Sequence, residues 1–211
     1  MTADPASRVG AAAGPADRLV AQLRFLHEID RVKQVVRRNP LADGARREND
    51  AEHMWHLTVM ALVLAEHARQ PVDLLRVLTM VAIHDLVEID TGDVLVYDDE
   101  AKQAVAAAEA AAAERIFGLL PADQGDALRR VWGEFEARRS PDARFAAAVD
   151  RLQPLLQNFH AGGGAWTSEA VSAARVRAAN AHIADGSPRL WELAQEVIAM
   201  AEASGLLADP P

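Results

Sequence analysis

Apolar residues recur along much of this chain at helical spacing. Leu19, Leu23, Leu26, Ile29, Val32 and Val36 fall three or four residues apart, which predicts a first amphipathic helix running to about Arg38. Asn39-Pro40 ends it, since the residue before a proline is pushed out of the helical region. Residues 39–50 (NPLADGARREND) have no periodic apolar positions and carry an Asp43-Gly44 turn signal, so they read as a polar loop. Segments 51–69 and 72–88 are apolar on most sides and are expected to be buried helices separated by Gln70-Pro71. A short connection passes Thr91-Gly92-Asp93 to about Asp99, and an Ala/Glu-rich helix covers 100–117 up to Gly118. Pro121 suits the first turn of a helix reaching about Arg139. Ser140-Pro141 pairs an N-cap with a first helical residue and opens a helix bearing Phe145, Val149, Leu152, Leu156 and Phe159. Gly162-Gly163-Gly164 breaks the chain. Two more helices follow, one capped near Ser168 and one by Ser187-Pro188, with Gly205 beyond its end. No hairpin pattern, repeat or linker competes. The expected fold is an all-α helical bundle, a single domain over 17–205. A small-residue tail at 1–16, expected to be disordered, precedes it, and a short tail at 206–211 follows.

Bulk properties narrow the function. The 211 residues suffice for one domain with a real core. The net charge of −9 repels nucleic acid over most of the surface, although a few local arginines can still hold a small phosphate ester. The chain has no cysteine, which excludes disulfides, thiolate catalysis and Cys-ligated zinc. Any metal must therefore use His, Asp or Glu. No segment is long and apolar enough to span a membrane, and the N-terminus has no signal-peptide pattern, so a cytoplasmic protein is expected.

The chemistry concentrates where the nearly apolar run from Leu78 to Ile83 abruptly meets His84 and Asp85. An ionised carboxylate in such surroundings is costly unless it is paired or ligates a metal. Adjacent helical residues point about 100° apart, so the pair can offer two ligands to an ion in a groove. As an isolated dipeptide, His-Asp more often forms a buried hydrogen bond. Two further residues change that balance: His53 in the preceding apolar helix, and Asp150 in a later one, between Val149 and Leu152. Pro154 cannot donate the helical hydrogen bond to the Asp150 carbonyl, so the helix is expected to loosen there.

The ordered set His53, His84-Asp85 and Asp150 resembles the HD superfamily of metal-dependent phosphohydrolases. The likeness extends to its small 5'-deoxynucleotidase branch. Arg46-Arg47-Glu48-Asn49-Asp50-Ala51-Glu52-His53 matches an Arg-rich loop followed by the first histidine. His84-Asp85-Leu86-Val87-Glu88 with Gly92-Asp93 matches the second element. Trp132-Gly133-Glu134-Phe135-Glu136 and Asp150-Arg151-Leu152-Gln153-Pro154 look like its later parts, so the match covers roughly residues 19–160. The resemblance implies an HD-domain bundle with a buried divalent metal (Mn, Co, Fe, Zn, Ni or Mg) on His53, His84, Asp85 and Asp150. It implies a catalytic role for Glu88 and substrate contacts from Asp93. It also implies a phosphate-binding arginine just before the first loop, which Arg38 fits by spacing, with Arg46 and Arg47 as alternatives. Asn39 stands where some relatives have Trp.

The activity this implies is hydrolysis of a nucleoside 5'-monophosphate, a deoxynucleotide in particular. Within the same fold the alternatives are a (p)ppGpp or nucleoside triphosphate hydrolase. A different class is a non-catalytic metal or nucleotide sensor. The lack of a Gly-Tyr-Pro element disfavours a cyclic dinucleotide phosphodiesterase. A homodimer is expected, because Val171, Val176, Ile183, Leu190, Trp191, Leu193, Val197 and Ile198 add apolar surface that the metal site does not need.

Overall fold

The computed structural model describes residues 18–94 and 99–208. The expected tail at 1–16 lies outside the described residues. Helix α1 (Arg18–Ile29) continues into a 3-10 turn, Asp30–Gln34. The chain then leaves the helical path earlier than expected. Strands β1 (Val36–Pro40) and β2 (Arg47–Asn49) pair antiparallel, Val36 opposite Asn49 and Pro40 opposite Arg47. This small hairpin replaces the end of the first predicted helix and most of the predicted loop. Its period-two signal is hidden because the inward position between exposed Val36 and Arg38 is Arg37, a charged residue.

Helix α2 (Asp50–Leu64) starts at a capping box: Asn49 accepts from the Glu52 amide, and the Glu52 carboxylate accepts from the Asn49 amide. Such a box satisfies two of the amides a helix start leaves open. Helix α3 (Leu74–Ile83), capped by Asp73, tightens into a 3-10 turn at His84–Val87 and then into a single turn, α4 (Glu88–Thr91), closed by Gly92 at φ +74°. Helices α5 (Asp99–Phe117) and α6 (Ala122–Ala137) follow. Helix α7 (Pro141–His160) is capped by Ser140 and runs through Pro154 without interruption. The Asn158 side chain donates to the Pro154 carbonyl at 2.9 Å. The short α8 (Gly164–Ser168), α9 (Ala173–Asn180) and α10 (Ile183–Gly186) lead to α11 (Pro188–Ala203). The cap of α9 is Ser172 rather than Ser168.

Helix α7 is the axis of the bundle. Its Ala143, Phe145, Ala146, Ala147, Ala148 and Val149 are buried against α2, α3 and the C-terminal helices. The alanines let neighbours approach closely: a Cβ on Gly186 would lie 2.2 Å from the Arg144 carbonyl oxygen. A second cluster, including Phe25, Met54, Leu86, Ile116 and Phe117, fills the space between α1, α5 and the 3-10 turn. Leu206 and Leu207 pack on the core, and the Ala208 amide donates to the Val171 carbonyl at 2.9 Å. The packed chain thus reaches beyond the expected boundary at 205.

The apolar residues behind the expected dimer have another role. Val171, Val176, Ile183, Leu190, Val197 and Ile198 lie in the core of this one chain, and Trp191 packs against it. Leu193 of the same set is exposed, as is Met200 on the same helix, but the larger uncovered apolar surface is elsewhere. Helix α2, expected to be buried, exposes the stripe Trp55, Val59, Leu62 and Val63 at i, i+4, i+7 and i+8, and Leu75 of α3 is 75% exposed. Among the described residues no helix is long and apolar enough to cross a membrane.

Candidate metal centre

Three elements deliver the four His and Asp side chains to one point. His53 comes from the first turn of α2, His84 and Asp85 from the 3-10 turn after α3, and Asp150 from the middle of α7; all four are buried. His53 Nε2 lies 3.2 Å from Asp150 Oδ1 and 3.6 Å from Asp85 Oδ2. His84 Nε2 lies 3.1 Å from Asp85 Oδ1 and 3.5 Å from Asp150 Oδ1. Donor atoms about 2.1 Å from one ion stand roughly 3.0–3.4 Å apart in octahedral or tetrahedral arrangements, so the cluster already has the size of a coordination shell.

The imidazoles are oriented for that task. His84 Nδ1 donates to the Val81 carbonyl at 3.2 Å, and its buried Nε2 has no hydrogen-bond partner. His53 Nδ1 donates to Gln153 Oε1 at 3.1 Å. Both rings therefore point Nε2 towards the carboxylates, the orientation that a hydrogen bond on the far ring nitrogen gives a ligating histidine. Gln153 is fixed in turn by donating through Nε2 to both oxygens of buried Glu48, at 2.8 and 3.1 Å, and Gln157 also donates to Glu48. The N/O donor set, the unpartnered Nε2 and the spacing all fit a divalent metal.

Without a metal ion, a proton on His84 and the neighbouring guanidiniums balance the carboxylates of this cluster. Burial opposes the charge on His84, but Asp85 and Asp150 overcome it and hold the imidazolium, whose pKa is pushed up to about 10. Burial likewise opposes the Asp85 carboxylate, yet His84 and Arg37 hold it below the usual range. Burial also opposes the Asp150 carboxylate, and Arg151, His53 and His84 keep it ionised.

A second carboxylate group adjoins the first. Ligand atoms of Asp50, Asp85 and Glu88 lie within 4.8 Å of one another. Burial, then Asp85, pushes Asp50 up to about 7. Burial, then Asp85 and Asp50, pushes Glu88 well above the ordinary glutamate value. Glu88 Oε2 is buried without a hydrogen-bond partner. Arg37 crosses this group: its Nη1 donates to Asp85 Oδ2 at 2.8 Å and to Asp50 Oδ1 at 3.1 Å.

The arginine that enters the site is therefore Arg37 and not Arg38. The Arg38 side chain is exposed, because neighbours on a strand point to opposite faces. What Arg38 contributes is its backbone amide, which donates to Asp93 Oδ2 at 3.0 Å. Asp93 thus pins the β1 backbone while it lines the cleft. Arg46 is exposed and engages Glu52 through both terminal nitrogens. The cleft encloses about 270 Å³ over the metal centre. Arg37, Glu88 and Asp93 lie on one flank, Arg138 and Arg151 also line it, and Val94, Val105, Phe135 and Leu155 supply apolar wall. Phe135, from the Trp132–Glu136 segment, packs on His84 with ring centroids 4.8 Å apart.

Comparisons with known proteins point to one family. The HD domain family matches residues 29–191. The human 5'-deoxynucleotidase HDDC2 is 30% identical over 136 residues, which cover 64% of this chain and 65% of the human protein. The fission yeast (Schizosaccharomyces pombe) 5'-deoxynucleotidase hdd1 is 24% identical over 140 residues, covering 64% of this chain and 69% of that protein. This chain thus spans just under two thirds of the length of its human relative. A crystal structure of a predicted metal-dependent phosphohydrolase from Magnetospirillum magnetotacticum MS-1 is 46% identical and superposes with a TM-score of 0.84, covering 91% of this chain and 99% of that one.

Proposed function

The chain belongs to the HD domain family, and from that premise we propose that it is a metal-dependent phosphohydrolase that removes the phosphate of a nucleoside 5'-monophosphate, in particular a deoxynucleotide. The observation that carries this reading is the convergence of His53, His84, Asp85 and Asp150 within 3.1–3.6 Å contacts at the floor of a cleft that also holds Glu88 and Arg37. The names of the human and fission yeast relatives support the substrate class. A cleft of about 270 Å³ sits at the small end of ligand pockets, which favours a mononucleotide over a polyphosphorylated one.

His53, His84, Asp85 and Asp150 hold the metal. When bound, a divalent ion there polarises a phosphoryl oxygen and lowers the pKa of a water. The protein's own groups do the rest. Glu88, whose burial beside Asp85 and Asp50 pushes it well above the ordinary glutamate value, lines the cleft and delivers a proton to the leaving 5'-oxygen. Arg37 keeps Asp85 ionised and ties it to Asp50 from the hairpin side. Asp93 orients the substrate at the cleft wall. A phosphate-release screen of nucleoside mono-, di- and triphosphates with Mn²⁺, Co²⁺, Mg²⁺ and Zn²⁺ tests the reading. Release from 5'-monophosphates is expected. Release from triphosphates alone, or from none, overturns it.

The homodimer remains the proposed assembly, with its interface moved to the exposed stripe Trp55, Val59, Leu62 and Val63 and the neighbouring Leu75. Light scattering should give twice the chain mass, and Val63→Asp should return it to the mass of one chain.

A further inference from the structure

The cleft has a second cationic flank, Arg138 and Arg151, which shares its wall with Glu136 and Glu109. Arg37 is almost fully engaged by carboxylates: Asp50 and Asp85 accept from it, and Glu48 and Asp93 lie 4.0 Å away. Beside it stands Glu88. A phosphate dianion approaching from that side meets several carboxylates for one guanidinium. Arg138 and Arg151 are less tightly held: Asp150 lies beside Arg151, and Glu136 acts on Arg138 from beyond ion-pair distance. Both line the same cleft. Arg151 Nε is 3.3 Å from Asp150 Oδ2, yet it is buried and makes no hydrogen bond. Arg138 has no ion pair within 4 Å among the described residues, and burial and the Arg151 charge together disfavour its protonated form. The half-buried imidazole of His182 is pushed down to about 4 by burial and by the two guanidiniums.

Arg138 also occupies an unusual backbone position. It ends α6 in the left-handed conformation, φ 49° and ψ 36°, where helices commonly place glycine. A side chain there costs stability relative to glycine, and a retained cost of this kind at a cleft points to use of that side chain. Two like charges held together in a partly desolvated cleft are unfavourable until an anion bridges them.

We propose that Arg138 and Arg151 form an anion subsite that grips the non-bridging oxygens of the substrate's phosphate, across the metal centre from Arg37. Arg37 reaches the centre through Asp85 and Arg151 reaches it through Asp150. A phosphate over the metal therefore lies between two guanidinium flanks, of which the Arg138–Arg151 flank has free donors. This inference rests on the phosphohydrolase reading, but it is tested by binding and not by turnover.

The probe is inorganic phosphate, titrated calorimetrically into the Mn²⁺-loaded full chain and into Arg138→Gly and Arg151→Gln. Glycine at 138 relieves the left-handed strain, so that variant is expected to melt at or above the wild-type temperature. Its phosphate affinity should nevertheless fall by about tenfold or more, because charge-assisted hydrogen bonds are lost. Arg151→Gln should show a similar loss with unchanged metal content. KM for a 5'-monophosphate should rise by the same factor in both. Phosphate affinity within twofold of wild type in Arg138→Gly overturns the proposal, as does a wild-type protein that binds no phosphate. A protein that binds phosphate through these arginines but hydrolyses no nucleotide would refute the functional reading while leaving the subsite intact.

Discussion

His53 reaches the metal centre through Gln153: the imidazole Nδ1 donates to Gln153 Oε1 at 3.1 Å, and the amide is locked by Glu48 on its other end. An amide held this way can present only its oxygen to the ring, which fixes the tautomer with a lone pair on Nε2. Gln153→Leu removes that acceptor and leaves buried Glu48 with fewer donors. Metal affinity should fall by about 10–100-fold, the usual scale for losing a hydrogen bond behind a ligand. Competition titration with a chelating dye would measure it. Affinity equal to wild type would mean that His53 is oriented by other contacts.

Glu88 should matter for rate and not for metal. Glu88→Gln keeps the shape and abolishes the ionisable group, so kcat for a 5'-monophosphate should drop by about 10²–10⁴-fold. Manganese content and melting temperature should stay near wild type. A variant with full kcat would remove Glu88 from the proton-transfer role.

The two neighbouring arginines should separate cleanly. Arg37→Ala strands Asp50 and Asp85 as buried carboxylates without their guanidinium and should cost about 3–5 kcal/mol in the metal-free protein. Arg38→Ala removes only an exposed side chain and leaves its amide bonded to Asp93, so it should stay within about 0.5 kcal/mol of wild type, with unchanged KM. Chemical denaturation of both variants, with kinetics on the second, decides the assignment.

Metal and protons should compete at His84. Its pKa is raised from 6.5 to about 10 in the metal-free protein. The stabilisation from that imidazolium is complete below its unfolded value and is lost as pH rises through the folded one. The metal-free protein should therefore lose stability between about pH 6.5 and 10. Over the same window apparent metal affinity should rise, by up to about tenfold per pH unit, because His84 must lose its proton to bind. Melting temperatures and metal titrations across this range test both slopes. Flat affinity from pH 7 to 9 would show that His84 is already neutral.

What the sequence reveals here depends on whether a residue's role follows from its spacing. The residues His53, His84, Asp85 and Asp150 stand out because each interrupts an apolar helical run. Their convergence follows from the resemblance and appears in the structure as contacts of 3.1–3.6 Å. Arg37 is hidden by its secondary structure. On a continuing helix neither arginine is privileged, and only the hairpin turns one inward and the next outward. Glu48, Gln153 and Gln157 look like surface residues, and their burial becomes visible only when β2 and α7 meet. The apolar positions of the last helices are legible, but periodicity does not say whether they face this chain's core or another copy. Arg138 gives no sequence signal, since its distinction is a backbone conformation.

The packing of α11 sets a limit on how the chain can be shortened for expression. The family match stops at residue 191, within the first turn of that helix, so a fragment cut to the matched region would lack Val197, Ile198 and Ala201. All three are buried, and Ile198 and Ala201 are fully inaccessible. Leaving their places empty would forfeit on the order of 4–6 kcal/mol of burial, comparable to the whole stability of many domains. The trimmed fragment should aggregate or be degraded, although every residue proposed for metal binding and proton transfer would still be encoded in it.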